Sequence, residues 1–147
     1  MWYWCLYGLL AAWVLYDARQ RDTTSLIWAA GTLIFGPVIF PVYVAKRPLK
    51  HGEVRAGGAA WNILRNFALY WHLPMIVLAF AVTSTFIETN RLLETYNPSA
   101  KYSTGATLCL ALIGIMWGIP IASALLLGLC FKDSSAVDRG PWSVPEG

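Results

Sequence analysis

Apolar residues in this chain fall in long unbroken runs, not in alternation with polar ones. Four stretches carry no charge: Met1 to Tyr16, Thr23 to Ala45, Phe67 to Ile87 and Ser103 to Phe131. Three of them reach the roughly 20 residues that an α-helix needs to cross a hydrocarbon core of about 30 Å. The first would reach only about 24 Å as a helix, but it is anchored by Trp2, Tyr3 and Trp4 at one end and by Tyr16, Asp17 and Arg19 at the other. Backbone in lipid must satisfy its own hydrogen bonds, which leaves helices or a closed barrel, and unbroken runs lack the alternation of barrel strands. The pattern therefore predicts an all-α membrane protein with four transmembrane helices in two hairpins, at about 1–16, 25–45, 67–87 and 107–131. These form one integral membrane domain over 1–147, in which the polar tail 132–147 has little structure of its own.

Composition agrees: 57% of residues are hydrophobic and 13% charged, against about a quarter charged in soluble domains. No basic residue precedes the first run, so it reads as a retained helix and not as a cleaved secretory signal.

The charges mark the turns. Asp17, Arg19, Arg21 and Asp22 form a candidate interfacial cluster between the first two helices. Asp17 and Arg21 are four apart, a spacing that lets an acid and a base pair on one helical face, worth under about 1 kcal/mol if exposed. Thr23, Thr24 and Ser25 are candidates to cap the second helix. The second hairpin turns within 88–105, with Asn97, Pro98 and Ser99 as its turn chemistry. Between the hairpins, 46–66 holds five basic residues and a single acid. Lys46, Arg47, Lys50 and Arg55 in it are candidate contacts for anionic lipid. The segment after Gly57 and Gly58 reads as helix, either lying along the interface or leading into the third span. With four crossings, Lys46, Arg47, Lys50, Arg55, Arg65, Lys132 and Arg139 share a side with both termini, opposite Arg19, Arg21, Arg91 and Lys101. That bias predicts cytoplasmic termini.

Candidate chemistry is sparse. Gly114, Gly118 and Ala122 form a small-residue row suited to helix packing, inside the chain or with a partner. Gly36, Pro37 and Pro41 bend the second helix. A transporter can use such a break to bind an ion, but no acid lies in any helix core, which favours a role in shape. Cys5, Cys109 and Cys130 match no metal or redox spacing and read as buried thiols. His51 and His72 are not spaced as ligands; His72 reads as an interfacial hydrogen-bonding residue or, less commonly, as an axial ligand to a porphyrin-type metal. No phosphate loop, nucleophile elbow or zinc motif is present, so no catalytic, cofactor or metal site is expected. These features predict a non-enzymatic accessory or scaffold subunit, with the lipid bilayer and other membrane subunits or copies of itself as partners and no nucleic acid. A small homo-oligomeric transporter or channel is the alternative. A lipid-acting enzyme built on the Asp17 to Asp22 turn is a third reading.

The pattern Tyr16-Asp17-Ala18-Arg19-x-Arg21, then Trp28, then Gly36-Pro37-x-x-x-Pro41-x-Tyr43 resembles the two-helix hairpin of small bacterial multi-pass membrane proteins of unknown function. It is more distantly similar to the N-terminal membrane hairpin of phospholipase D and cardiolipin synthase type proteins. The likeness covers residues 13–45. It implies a hairpin module of the bacterial inner (plasma) membrane. The phospholipase catalytic His and Lys set has no counterpart here, so no lipase activity is implied.

Overall fold

The computed structural model describes residues 2–96 and 104–141. In chain order it comprises α1 (Trp2–Arg19), α2 (Ser25–Lys46), β1 (Val54–Gly57), α3 (Gly58–Tyr70), α4 (His72–Tyr96), α5 (Thr104–Cys130) and β2 (Asp133–Arg139). The chain is thus mostly helical, with a small sheet that a purely α-helical reading omits. By length and composition alone, three helical stretches are long and apolar enough to cross a membrane: Ser25–Lys46, Gly58–Leu92 and Leu108–Cys130. α1, rich in Trp and Tyr, is not among them. The predicted turn residues Asn97, Pro98 and Ser99 lie outside the described residues.

α2 does not run straight. Its helical geometry breaks at Phe35, with φ −117° and ψ 39°. Pro37 supplies the cause, because it has no N–H and its ring collides with the carbonyl four residues back. Beyond the break the chain returns on itself. Gly31 faces Ile39, and the rings of Trp28 and Tyr43 lie with centroids 5.5 Å apart, although residues fifteen apart in a straight helix are separated by roughly 22 Å. Each arm of about ten residues therefore reaches roughly 15 Å, half the hydrocarbon thickness of about 30 Å. Gly36 sits at the apex against Tyr7, where a Cβ would fall within the tyrosine ring. Only glycine allows that approach.

α1 runs parallel to the returning arm. The Tyr3 hydroxyl donates to the Ile34 carbonyl at 2.7 Å, Trp13 meets Phe40 with ring centroids 5.8 Å apart, and Tyr43 donates to Asp17 at 2.7 Å. The contact face of α1 is Tyr7, Ala11, Val14 and Ala18, all buried and recurring at helical spacing. Val14 and Ala18 join Phe40 and Tyr43 in the core, with Leu10, Trp28, Ala29, Val44 and Tyr70 packed around them.

Because α2 doubles back, the turn after α1 and the connection after α2 lie at the same end of the molecule. The expectation that they lie on opposite sides is thereby corrected. Arg19, Arg21, Lys46, Arg47, Lys50, Arg55, Lys132 and Arg139, eight of the eleven basic residues, share this polar end. Trp2 stands at the other end of α1, so the start of the chain and β2 sit at opposite ends, not together as the four-span reading required.

α3 and α4 form one nearly continuous rod. Trp71 between them keeps helical dihedrals (φ −60°, ψ −25°), and Pro74 four residues after Tyr70 cannot donate to that residue's carbonyl. α3 is thus the first part of the third rod and not a separate surface helix; it packs against both α2 and α5. α5 returns antiparallel beside it. Gly128 lies against Trp61 and Leu64, and the Trp71 indole donates to the Met116 carbonyl at 3.1 Å.

The tail is structured as far as it is described. β2 pairs antiparallel with β1, Val54 opposite Arg139 and Arg55 opposite Asp138, with a bulge between Ala56 and Gly57. Two strands alone are marginal in water. Here they are held by Gly140, whose N–H donates to the Glu53 carbonyl at 2.9 Å, and by His51, whose Nδ1 lies 2.9 Å from the Pro141 carbonyl. Gly57 and Gly58, at φ 95° and 80°, make the turn from β1 into α3 in a backbone region that other residues seldom adopt.

Candidate functional site

The charged residues of the polar end converge on Asp17. It lies near the end of α1, one turn before Arg21, so the acid and base face each other as their spacing predicts. Arg21 Nε donates to both carboxylate oxygens, at 3.1 and 3.0 Å. Tyr43 and Arg47, one turn apart on the returning arm of α2, donate to Oδ2 at 2.7 and 3.1 Å. The far side of the Arg21 guanidinium forks onto Glu53, at 2.9 and 3.1 Å, and also donates to the Pro48 carbonyl. The end of α1 and the connection after α2 are thus tied through one arginine.

The pair is not exposed. The side chains of Arg21 and Asp17 are 3% and 9% exposed. Removing one member of a buried pair leaves an uncompensated charge, at a cost of about 3–5 kcal/mol, whereas an exposed pair contributes under about 1 kcal/mol. Burial is tolerated because the group is balanced, two carboxylates against Arg21 and Arg47, with every Asp17 oxygen hydrogen-bonded. The Arg21 fork and the Lys50 N–H hold the Glu53 carboxyl well below its ordinary range, at about 2, and hydrogen bonding to Glu53 makes Arg21 a still firmer cation. Chemically the arrangement is a clamp. Both Asp17 oxygens accept hydrogen bonds, Oδ1 from Arg21 and Oδ2 from Arg21, Tyr43 and Arg47.

The other predicted residues separate. Arg19 is exposed, and Asp22 is exposed with a left-handed φ of 51°, serving the turn. Thr24 occupies the N-cap of α2 without a side-chain capping bond, while Thr23 Oγ1 donates back to the Ala18 carbonyl at 3.2 Å. Capping by these hydroxyls is therefore not observed. Lys46 is exposed; Lys50 donates to Gln20 at 2.6 Å. Arg47 also lies over the Trp13 ring, 5.7 Å from its centroid. Arg55 Nη2 donates to the Arg47 carbonyl at 2.9 Å, satisfying an orphan acceptor at the end of α2. Gly114, Gly118 and Ala122 face outward, exposed, and the close contact of α5 is made by Gly128 instead. Cys5, Cys109 and Cys130 are exposed on apolar helices and not buried within the protein. His72 Nδ1 accepts from the Trp117 indole at 2.8 Å, which leaves the ring proton on Nε2.

Sequence reasoning missed Tyr43 and Glu53 as members of the cluster. Both carried a signal: Tyr43 closes the Gly-Pro-x-x-x-Pro-x-Tyr pattern, and Glu53 is the lone acid in a basic connection. Comparison of the chain with protein-family models, with curated proteins and with solved structures gave no match.

Proposed function

We propose that the chain is an integral membrane protein serving as a non-enzymatic accessory or scaffold subunit, with α5 as the face it offers to neighbouring membrane proteins. The observation that carries this reading is the outward row of α5: a side chain added at Gly114 or Gly118 would meet nothing within 4 Å. Small residues at this spacing admit a second helix at close range, a main source of helix association in lipid. The clamp around Asp17 supports it by giving the polar end a fixed shape on which an assembly can rely. The concentration of basic residues at that end supports a cytoplasmic placement for it, in the bacterial inner membrane that the hairpin resemblance implies.

Purification of the full chain from native membranes in mild detergent tests this. The wild-type protein is expected in a complex, either with another subunit or with itself, and Gly118→Leu is expected to release it as a monomer with unchanged thermal stability. A wild-type protein that runs only as a monomer would sink the reading. A second reading, a small homo-oligomeric transporter or channel, is favoured by the broken α2, where the buried Thr32 hydroxyl has no hydrogen-bond partner among the described residues. Solute flux in liposomes would support that one instead.

A further inference from the structure

We infer that the cleft bounded by the C-terminal end of α2, β1 and α3 is a phosphate-binding site. Its volume is about 320 Å³, at the lower end of the roughly 300–1,000 Å³ typical of small-molecule sites. Arg47, Glu53, Arg55, Asn62 and Arg65 line it, and the remaining wall is aliphatic. Three guanidinium groups therefore face one carboxylate.

That carboxylate is already committed. Its oxygens accept from both Arg21 nitrogens and from the Lys50 N–H at 2.9 Å. Arg47 gives Nη1 to Asp17, while its Nη2 stands 4.0 Å from Glu53. Arg55 donates Nη2 to a carbonyl, and Asp138, its ladder partner, is exposed and closes no ion pair with it among the described residues. Arg65 is exposed and forms no ion pair among the described residues. The cleft thus holds about two positive charges in excess, carried by guanidinium groups, of which Arg65 keeps its whole fork for phosphate oxygens and Arg47 and Arg55 keep their remaining N–H donors. Asn62 is tied to the carbonyls of Ala56 and Gly58 at 3.1 and 2.7 Å, which fixes the α3 wall.

The phosphate has two sources, the headgroup of an anionic lipid or a free phosphate in solution. An apolar groove of about 320 Å³, lined by Val42, Ile63, Phe67 and Leu127 among others, lies between the same two helices and α5. It suits the acyl part of a lipid. The site differs from the expected set of lipid contacts: Arg47 and Arg55 belong to it, Lys46 and Lys50 do not, and Arg65 joins. It is independent of the α5 face and requires no partner protein.

Titration calorimetry on the full chain in a neutral detergent tests the site, with short-chain phosphatidic acid and inorganic phosphate as probes. Phosphatidic acid is expected to bind. Arg65→Ala is expected to weaken binding about tenfold, the loss of one charge-assisted contact, with an unchanged unfolding temperature because Arg65 is exposed and makes no ion pair among the described residues. Lys46→Ala, outside the cleft, is expected to bind as wild type. Arg55→Lys, which keeps the charge and loses the fork, is expected to fall between. Binding of phosphatidic acid alone assigns the lipid headgroup, and equal binding of inorganic phosphate assigns the free ion. The proposal is overturned if neither probe binds, or if Arg65→Ala leaves both affinities intact.

Discussion

In α1, Tyr7, Ala11, Val14 and Ala18 are buried against the returning arm of α2, whereas α5, longer and more uniformly apolar, buries Ile113, Ala124 and Gly128 and turns Leu108, Leu112, Ile119 and Leu126 outward. Within the apolar windows, 6% of residues are buried in α5 against 22% in α2. The contrast separates two meanings of hydrophobicity. In α5 it matches the helix to lipid and specifies little about neighbours, because hydrocarbon is as good a solvent for leucine as another helix is. In α1 and α2 the packing is set by shape and by ions: Gly36 against a ring, and a buried carboxylate that must find its donors.

The largest effect expected from this contrast is at Asp17. Asp17→Asn leaves the buried Arg21 with Glu53 alone as counter-charge and takes from Arg47 its close acidic partner, and is expected to cost about 3 kcal/mol, read by denaturant unfolding in mixed micelles. If the loss is no larger than that of an outward leucine, the ions are not what holds the polar end. A smaller effect is expected at Glu53, whose side chain is 35% exposed. Its carboxyl is lowered from 4.5 to about 2 by Arg21. Its stabilising contribution is therefore present above about pH 4.5 and lost as pH falls through about 2. Melting temperature measured across that window should fall less steeply in Glu53→Gln than in wild type; parallel curves would remove Glu53 from the clamp. The smallest change is expected on α5: Leu126, 65% exposed, should tolerate Leu126→Ala within about 0.5 kcal/mol in the same unfolding assay. A larger loss would mean that its face is already packed.

The helices were legible in the sequence because lipid imposes long apolar runs. The run to Ala45 corresponds to a helix ending at Lys46, and the fourth to one ending at Cys130. The Asp17 to Arg21 pair was legible too, since its spacing is local. The path of α2 was not. A run of 23 uncharged residues fits one crossing or two half-depth arms equally well, and the proline pattern announces a bend without its angle. Burial of the pair followed from that path, as did the meeting of Arg21 with Glu53. The β1 to β2 pairing joins residues some eighty positions apart, and their short polar stretches carry no alternation strong enough to announce a strand. The direction of the small-residue row depends on which face of α5 meets Trp61, a contact that spacing alone does not specify.

The Arg21 fork also joins residues that lie far apart along the chain. Asp17 and Arg21 are four residues apart, but Tyr43 lies near the end of α2, and Arg47 and Glu53 follow it. Without these the acid has a single companion, Arg21. The last described strand docks over Glu53 through Gly140. A chain shortened to stop before β2 would leave the Glu53 carbonyl without its Gly140 donor.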